Sequence, residues 1–130
     1  MKNITTLFFS FLLITAISFS GCKKDEETDP LSCNLQTAST TFSEERLNVT
    51  YKLEVSGDYT ISSFFYYDES GKVEMQNPAP QEITVSLSNQ KIMQAGAVGN
   101  VTNGSIKVSF KATTETSIYE GIDQCSRSTN

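Results

Sequence analysis

A chain of 130 residues with 10 basic and 15 acidic side chains holds one domain, and its negative balance opposes binding to nucleic-acid phosphates or anionic headgroups. It has no histidine and no tryptophan, so the side chain that most often does acid–base work or ligates transition metals is missing. An enzyme is the lesser reading, and neither a cofactor nor a resident metal is expected.

The chain opens with Met1-Lys2-Asn3 and then a mostly apolar run, densest at Leu7-Phe8-Phe9 and Phe11-Leu12-Leu13-Ile14. Small residues follow at Ser18, Ser20 and Gly21. A positive start, an apolar stretch and small residues are the layout of a secretory signal over residues 1–21. An uncleaved membrane helix is the alternative, since about 20 apolar residues span a bilayer. The Gly21-Cys22 step at the end of the run is better explained by processing. Only Lys2 is lost with this leader, so the mature chain carries nine basic against 15 acidic groups, a net charge of −6.

Phe19-Ser20-Gly21-Cys22 resembles the lipobox of bacterial lipoproteins, with Phe19 where leucine is usual. The resemblance implies a diacylglycerol on the Cys22 thiol, cleavage just before it and a further acyl chain on the new N-terminus. Two chains anchor stably where one holds only marginally. Lys23-Lys24-Asp25-Glu26-Glu27 resembles the lysine-then-acidic export tag of surface lipoproteins of the Bacteroidota. That likeness implies an outer-membrane lipoprotein displayed on the outer face. A periplasm-facing anchor is the alternative, because charged runs also simply solubilise a tether. Residues 22–32 have only Leu31 as an apolar side chain besides Cys22 and read as a disordered tether, whose ten residues after the cysteine reach about 30 Å.

From Cys33 to the end, short strands alternate with turn residues. Residues 47–55 place Leu47, Val49, Tyr51, Leu53 and Val55 on one face and Asn48, Thr50, Lys52 and Glu54 on the other. Period-two alternation of this kind predicts one buried and one wet face. Ile83, Val85 and Leu87 repeat the pattern, as do Ile106, Val108, Phe110 and Ala112. Gly57-Asp58 reads as a turn opening a strand over residues 59–67, and Asn103-Gly104 as a hairpin turn. Asp68-Glu69-Ser70-Gly71 reads as a type I turn with Gly71 in the left-handed position, followed by a return strand over residues 72–76. Asn77-Pro78-Ala79-Pro80 stops pairing, because proline offers no ladder donor. Ile92-Met93 interrupts the alternation before Ala95-Gly96-Ala97, which suggests a bulge or the close approach of another strand. A last strand is predicted over residues 115–120. About seven strands and no convincing helix predict an all-β fold, a small antiparallel immunoglobulin-like sandwich over residues 33–130.

Cys33 precedes the first of these predicted strands and Cys125 follows the last. Lipidation of Cys22 leaves this even pair in an oxidising compartment, so a Cys33–Cys125 disulfide is expected, with two free thiols as the alternative. A catalytic thiol would have no histidine to activate it.

The order Tyr51…Val55-Ser56-Gly57, Tyr66-Tyr67-Asp68-x-x-Gly71, Asn77-Pro78, Ala95 to Val98 and Ile106-Lys107-Val108 is similar to the small mycobacterial membrane proteins that accompany lipid-exporting transporters. Those place an extracytoplasmic β-sandwich on an N-terminal membrane anchor. The likeness implies the same fold, and as a second functional reading an accessory subunit of a membrane transport or envelope-assembly complex.

The unusual cluster is Phe64-Phe65-Tyr66-Tyr67, since four consecutive aromatics cannot share one face of a strand. A three-residue loop with a bulge at residues 68–71 sets Phe65 and Tyr67 opposite Met75 and Val73 and turns Phe64 and Tyr66 outward. A four-residue loop swaps the two pairs. Phe64 and Tyr66 are thus a candidate surface for a glycan or a protein partner, with burial of both faces as the bland alternative. Asp68, Glu69 and Glu74 make a loose calcium site conceivable, but aspartate at a turn start has a local explanation. No Gly-x-Ser-x-Gly, phosphate loop or Cys-x-x-Cys occurs. The sequons Asn48-Val49-Thr50 and Asn100-Val101-Thr102 carry no weight in a bacterial lipoprotein. The leading reading is a non-enzymatic, lipid-anchored binding or accessory module.

Overall fold

The computed structural model describes residues 29–129. The leader, Cys22 and the charged run at residues 23–27 lie outside them. The described residues are all strand and turn, with no helix. In chain order the strands are β1 (Leu31–Gln36), β2 (Thr40–Thr41), β3 (Arg46–Asp68), β4 (Gly71–Gln76), β5 (Gln81–Ser88), β6 (Ile92–Met93), β7 (Ala95–Thr113) and β8 (Ile118–Arg127).

Two long strands carry the architecture. β3 has 23 residues and β7 has 19, and they pair antiparallel from Thr50↔Lys111 to Tyr66↔Ala95. The first part of β3 takes β5 on its free edge and the last part takes β4. β7 likewise takes β1 along residues 96–101 and β8 along residues 104–113. The sheet bends at its midpoint, so a β5-β3-β7-β8 layer packs on a β4-β3-β7-β1 layer. The rings of Tyr51 and Tyr66, from opposite halves of β3, meet across this interior at 5.4 Å. β2 and β6 form a separate two-stranded ribbon beside them.

The predicted inward faces form the core. Leu47, Val49, Tyr51 and Leu53 are buried, as are Leu87, Ile106, Val108, Phe110 and Ala112, while Val55, Ile83 and Val85 are partly buried against them. A one-residue slip in any of these strands would expose its whole apolar set, which holds the register.

The two predicted turns at Gly57-Asp58 and Asn103-Gly104 are not chain reversals. They face each other, Gly57↔Gly104 and Asp58↔Asn103, as the paired bend of β3 and β7. Register shifts beside it, at Asp58/Tyr59 and Ile61/Ser63, are bulges that add the twist a fold-over needs. Gly57 has φ +67°, and a β-carbon there would stand 2.1 Å from the Asn103 carbonyl oxygen. The glycines answer backbone crowding between strands rather than a local reversal.

The ends also differ from expectation. β1 begins at Leu31, two residues inside the predicted tether, and Cys33 sits within it. The last strand is Ile118–Arg127 rather than residues 115–120, and it contains Cys125. Residues 114–117 are instead a turn, in which the Thr114 hydroxyl accepts from the Ser117 amide at 2.9 Å.

One core group is unpartnered. The Tyr51 side chain is fully buried, and no hydrogen bond of normal geometry reaches its hydroxyl among the described residues. Burial pushes this phenol's pKa up, with the backbones of Gln94 and Tyr67 pulling the other way. An unsatisfied buried hydroxyl costs about 1–3 kcal/mol. Tyr51→Phe is therefore expected to raise the urea midpoint, by about 1 kcal/mol of stability. A lowered midpoint would mean that the hydroxyl serves an ordered water.

Candidate functional site

The aromatic run is resolved by the length of one turn. Asp68 pairs with Gly71, leaving Glu69-Ser70 as a two-residue loop. Phe64 then faces Met75, Tyr66 faces Val73, Phe65 faces Glu74 and Tyr67 faces Lys72. Phe64 is fully buried, and Tyr66 is partly buried against the core. The expectation that Phe64 and Tyr66 form an exposed surface is corrected: the shorter loop moves the register by one residue and turns this pair inward.

Phe65 and Tyr67 take the outer face of the β4-β3-β7-β1 layer. Both are half-buried, and their rings meet edge to face with centroids 6.3 Å apart. Phe65 lies across Gly96, where a β-carbon would stand 2.2 Å from its ring. Val98, which is 42% exposed, continues the apolar strip on the same face of β7. Asn34 and Gln36 of β1 border the strip on one side, and Glu74 and Gln76 of β4 on the other. The Lys72 ammonium caps Phe65 at 4.2 Å from the ring centroid. An exposed contact of this kind is worth about 0.5–1 kcal/mol, so a ligand can displace it at little cost. The outcome is a flat apolar strip with an amide rim, set on the two central strands.

The acidic groups at the adjoining turn have local partners. The Asp68 carboxylate accepts from the Ser70 amide at 2.8 Å and the Ser70 hydroxyl at 2.6 Å. Glu69 accepts from the amide and hydroxyl of Ser88 at the end of β5, at 2.8 and 2.5 Å, and so ties the two layers together opposite the bend. These hydrogen bonds hold both carboxyls below their ordinary pKa values of 3.8 and 4.5. The Asp68, Glu69 and Glu74 side chains do not converge, and no group of three His, Cys, Asp or Glu side chains among the described residues is arranged to hold a metal.

A pKa lowered by folding gives stability that is present above the unfolded value and lost as pH falls through the folded one. The domain is therefore expected to lose stability as pH falls from the ordinary carboxyl values of 4.5 and 3.8 through the lower folded ones, and Glu69→Gln to shrink that loss. Urea midpoints across this range check it; an identical acid limb in the variant would remove the Glu69 clasp as a cause.

The opposite margin of the sandwich is closed by a covalent and polar seam. Cys33 and Cys125 are joined, with Cα atoms 5.9 Å apart. Beside them the Asp123 carboxylate accepts from the Gln36 amide of β1 at 2.8 Å and from its neighbouring Gln124 amide at 2.9 Å. Further along, the Tyr119 hydroxyl donates to Glu44 at 3.0 Å while its ring meets Phe42.

The concave features are shallow. An open cleft of about 320 Å³ at the bend is lined by Pro30, Gly57, Asp58, Tyr59, Thr60 and Asn100. Asp58 is its one ionisable carboxyl, so it lacks the paired groups that acid–base chemistry uses. The outer face of the β5-β3-β7-β8 layer carries the ion pairs Lys52–Glu82 at 3.0 Å and Lys107–Glu54 at 2.8 Å, which water and salt screen and which contribute little.

Comparison of the chain with protein-family models, with characterised proteins and with solved structures finds no match to any of them.

Proposed function

We propose that this protein is a lipoprotein of the cell envelope, anchored in the outer membrane through lipid on Cys22, whose sandwich binds glycan rather than catalysing a reaction. The observation that carries the binding role is the half-exposed Phe65–Tyr67 pair, extended by Val98 and bordered by the amides of Asn34, Gln36 and Gln76. Aromatic rings on a rigid sheet offer an apolar face to the C–H face of a sugar. Amide side chains supply both donors and acceptors, as hydroxyl-rich ligands need. Location outside the cytoplasm is supported by the Cys33–Cys125 bond, which accounts for two of the three cysteines and leaves Cys22 for modification. The first strand starts at Leu31, close to the end of the expected tether.

Two arms test this. In cells, Cys22→Ala is expected to release the protein from membranes or leave it unprocessed; unchanged acylation of that variant removes the anchor. On an array of neutral glycans, Phe65→Ala with Tyr67→Ala is expected to weaken binding at least about tenfold, a loss of about 1.4 kcal/mol or more. Undiminished binding by that variant, or no binding by the wild type, removes the glycan role.

A further inference from the structure

The two layers of the sandwich present outer faces of opposite chemistry. That of the β5-β3-β7-β8 layer carries Lys52, Glu54, Glu82, Lys107, Lys111 and Glu120. Its polar side chains bond to one another: Lys52 to Glu82, Lys107 to Glu54 and Thr50 to Thr84. On the outer face of the β4-β3-β7-β1 layer the charged groups stand only at the margins, Lys72 and Glu74 on β4 and Asp58 at the bend. Between them the register sets two neutral rows, Val98 flanked by Asn34 and Ser63, and Asn100 flanked by Ser32 and Thr60. Among the described residues, none of these hydroxyl and amide side chains is bonded within the protein, and all but the half-buried Ser63 are exposed. Thr60 and Asn100 also line the cleft at the bend, together with Asp58 and Thr102. The aromatic strip and the cleft are therefore one continuous surface.

We infer that this surface takes a neutral polysaccharide chain lengthwise, with the cleft at the bend as a second subsite beyond the aromatic strip. The inference rests on the glycan reading above and adds the size and charge class of the ligand. From Gly96, beneath the Phe65 ring, to Thr102 in the cleft, β7 runs about 20 Å at the rise of a strand. One sugar ring covers a fraction of that length, whereas a chain laid along β7 reaches both ends. Phe65 and Tyr67 stack on the C–H face of one unit. Asn34, Ser32, Thr60 and Asn100 meet the hydroxyls of later units as donors and acceptors. An acidic chain would find no cation along the two rows and the Asp58 carboxylate at their end, so the ligand is neutral. An extended peptide is bound by joining a free strand edge, and here β7 is paired on both sides, with β1 and with β3. The face offers side chains alone, which suits a ligand rich in hydroxyls.

The test titrates the full chain in detergent with unbranched gluco-, manno- and xylo-oligosaccharides, from the disaccharide to long oligomers. The long oligomer of the recognised sugar is expected to bind at least about tenfold tighter than its disaccharide, because the later contacts form intramolecularly. Thr60→Ala with Asn100→Ala is expected to remove that gain, and Phe65→Ala with Tyr67→Ala to weaken binding at every length. Equal affinity for short and long oligomers, still lost in the aromatic variant, overturns this inference and leaves the glycan reading standing. A gain with length that survives Thr60→Ala with Asn100→Ala likewise overturns the second subsite. No binding at any length removes both readings. Tighter binding of oligogalacturonate than of any neutral chain, or binding of neutral peptides in place of sugars, also overturns the inference. The length series on the wild type needs no substitution, so its outcome does not depend on how a variant folds.

Discussion

Replacing both Cys33 and Cys125 with alanine is expected to lower the unfolding free energy by about 2–5 kcal/mol. The two residues lie on β1 and β8, which hang from the same edge of β7 on either side of its bend, opposite Gly99 and Ile106 respectively. Apart from the bond, the side-chain contacts at that margin are those of Asp123 with Gln36, Tyr119 with Glu44 and Arg127 with the Asp29 carbonyl. The link closes 92 residues of a chain with one modest core, for which the chain-entropy account gives about 4–5 kcal/mol. Serine in place of alanine should cost more at position 33, since the Cys33 side chain is buried and a hydroxyl there needs a partner. Urea unfolding of the alanine pair beside the reduced wild type separates the loss of the link, which both share, from the loss of packing. An unchanged midpoint in the alanine pair would show that the seam holds without its covalent bond.

The second large effect is expected at the bend. A β-carbon at Gly104 would stand 2.0 Å from the Ser56 carbonyl oxygen, and one at Gly57 would meet Asn103 while also being held at positive φ. In both cases the obstacle is the backbone of the opposing strand, which cannot rotate away as a side chain can. Gly104→Ala is therefore expected to cost about 3 kcal/mol or more, at the upper end of overpacking. Gly71→Ala is the comparison. It changes a glycine held at φ +121°, unlike Gly104, and nothing lies within 4 Å of the added carbon. Its cost should be about 1–2 kcal/mol, that of an L residue at positive φ. Thermal or urea unfolding of the two variants side by side checks this; a cost at Gly104 no larger than that at Gly71 would mean that the approach of β3 to β7 does not require the glycine.

The bend also shows why a sequence pattern can be read correctly as a signal and wrongly as a structure. Gly57-Asp58 and Asn103-Gly104 have the composition of hairpin turns, yet the same residues allow two long strands to cross closely while staying paired. Which of these occurs depends on the strand opposite, and no local window contains it. β8 was hidden for a different reason. Its inward positions are Tyr119, Gly121, Asp123 and Cys125, which show no apolar alternation. Each is satisfied by one specific neighbour: Glu44 for Tyr119, the Phe110 ring for Gly121, Gln36 for Asp123 and Cys33 for Cys125.

The chain's pattern of residues was enough to determine an all-strand body, the apolar faces from Leu47 to Leu53 and from Ile106 to Ala112, and the pairing of Cys33 with Cys125. These follow from period-two alternation and from the placement of Cys33 and Cys125 at the two ends of the strand series, which are properties of the residues in order. The outward turn of Phe65 and Tyr67, and with it the candidate binding face, was decided by the tertiary structure. A single residue of loop length at Glu69-Ser70 exchanges the two sides of a strand, and the packing of Phe64 into the core selects between them.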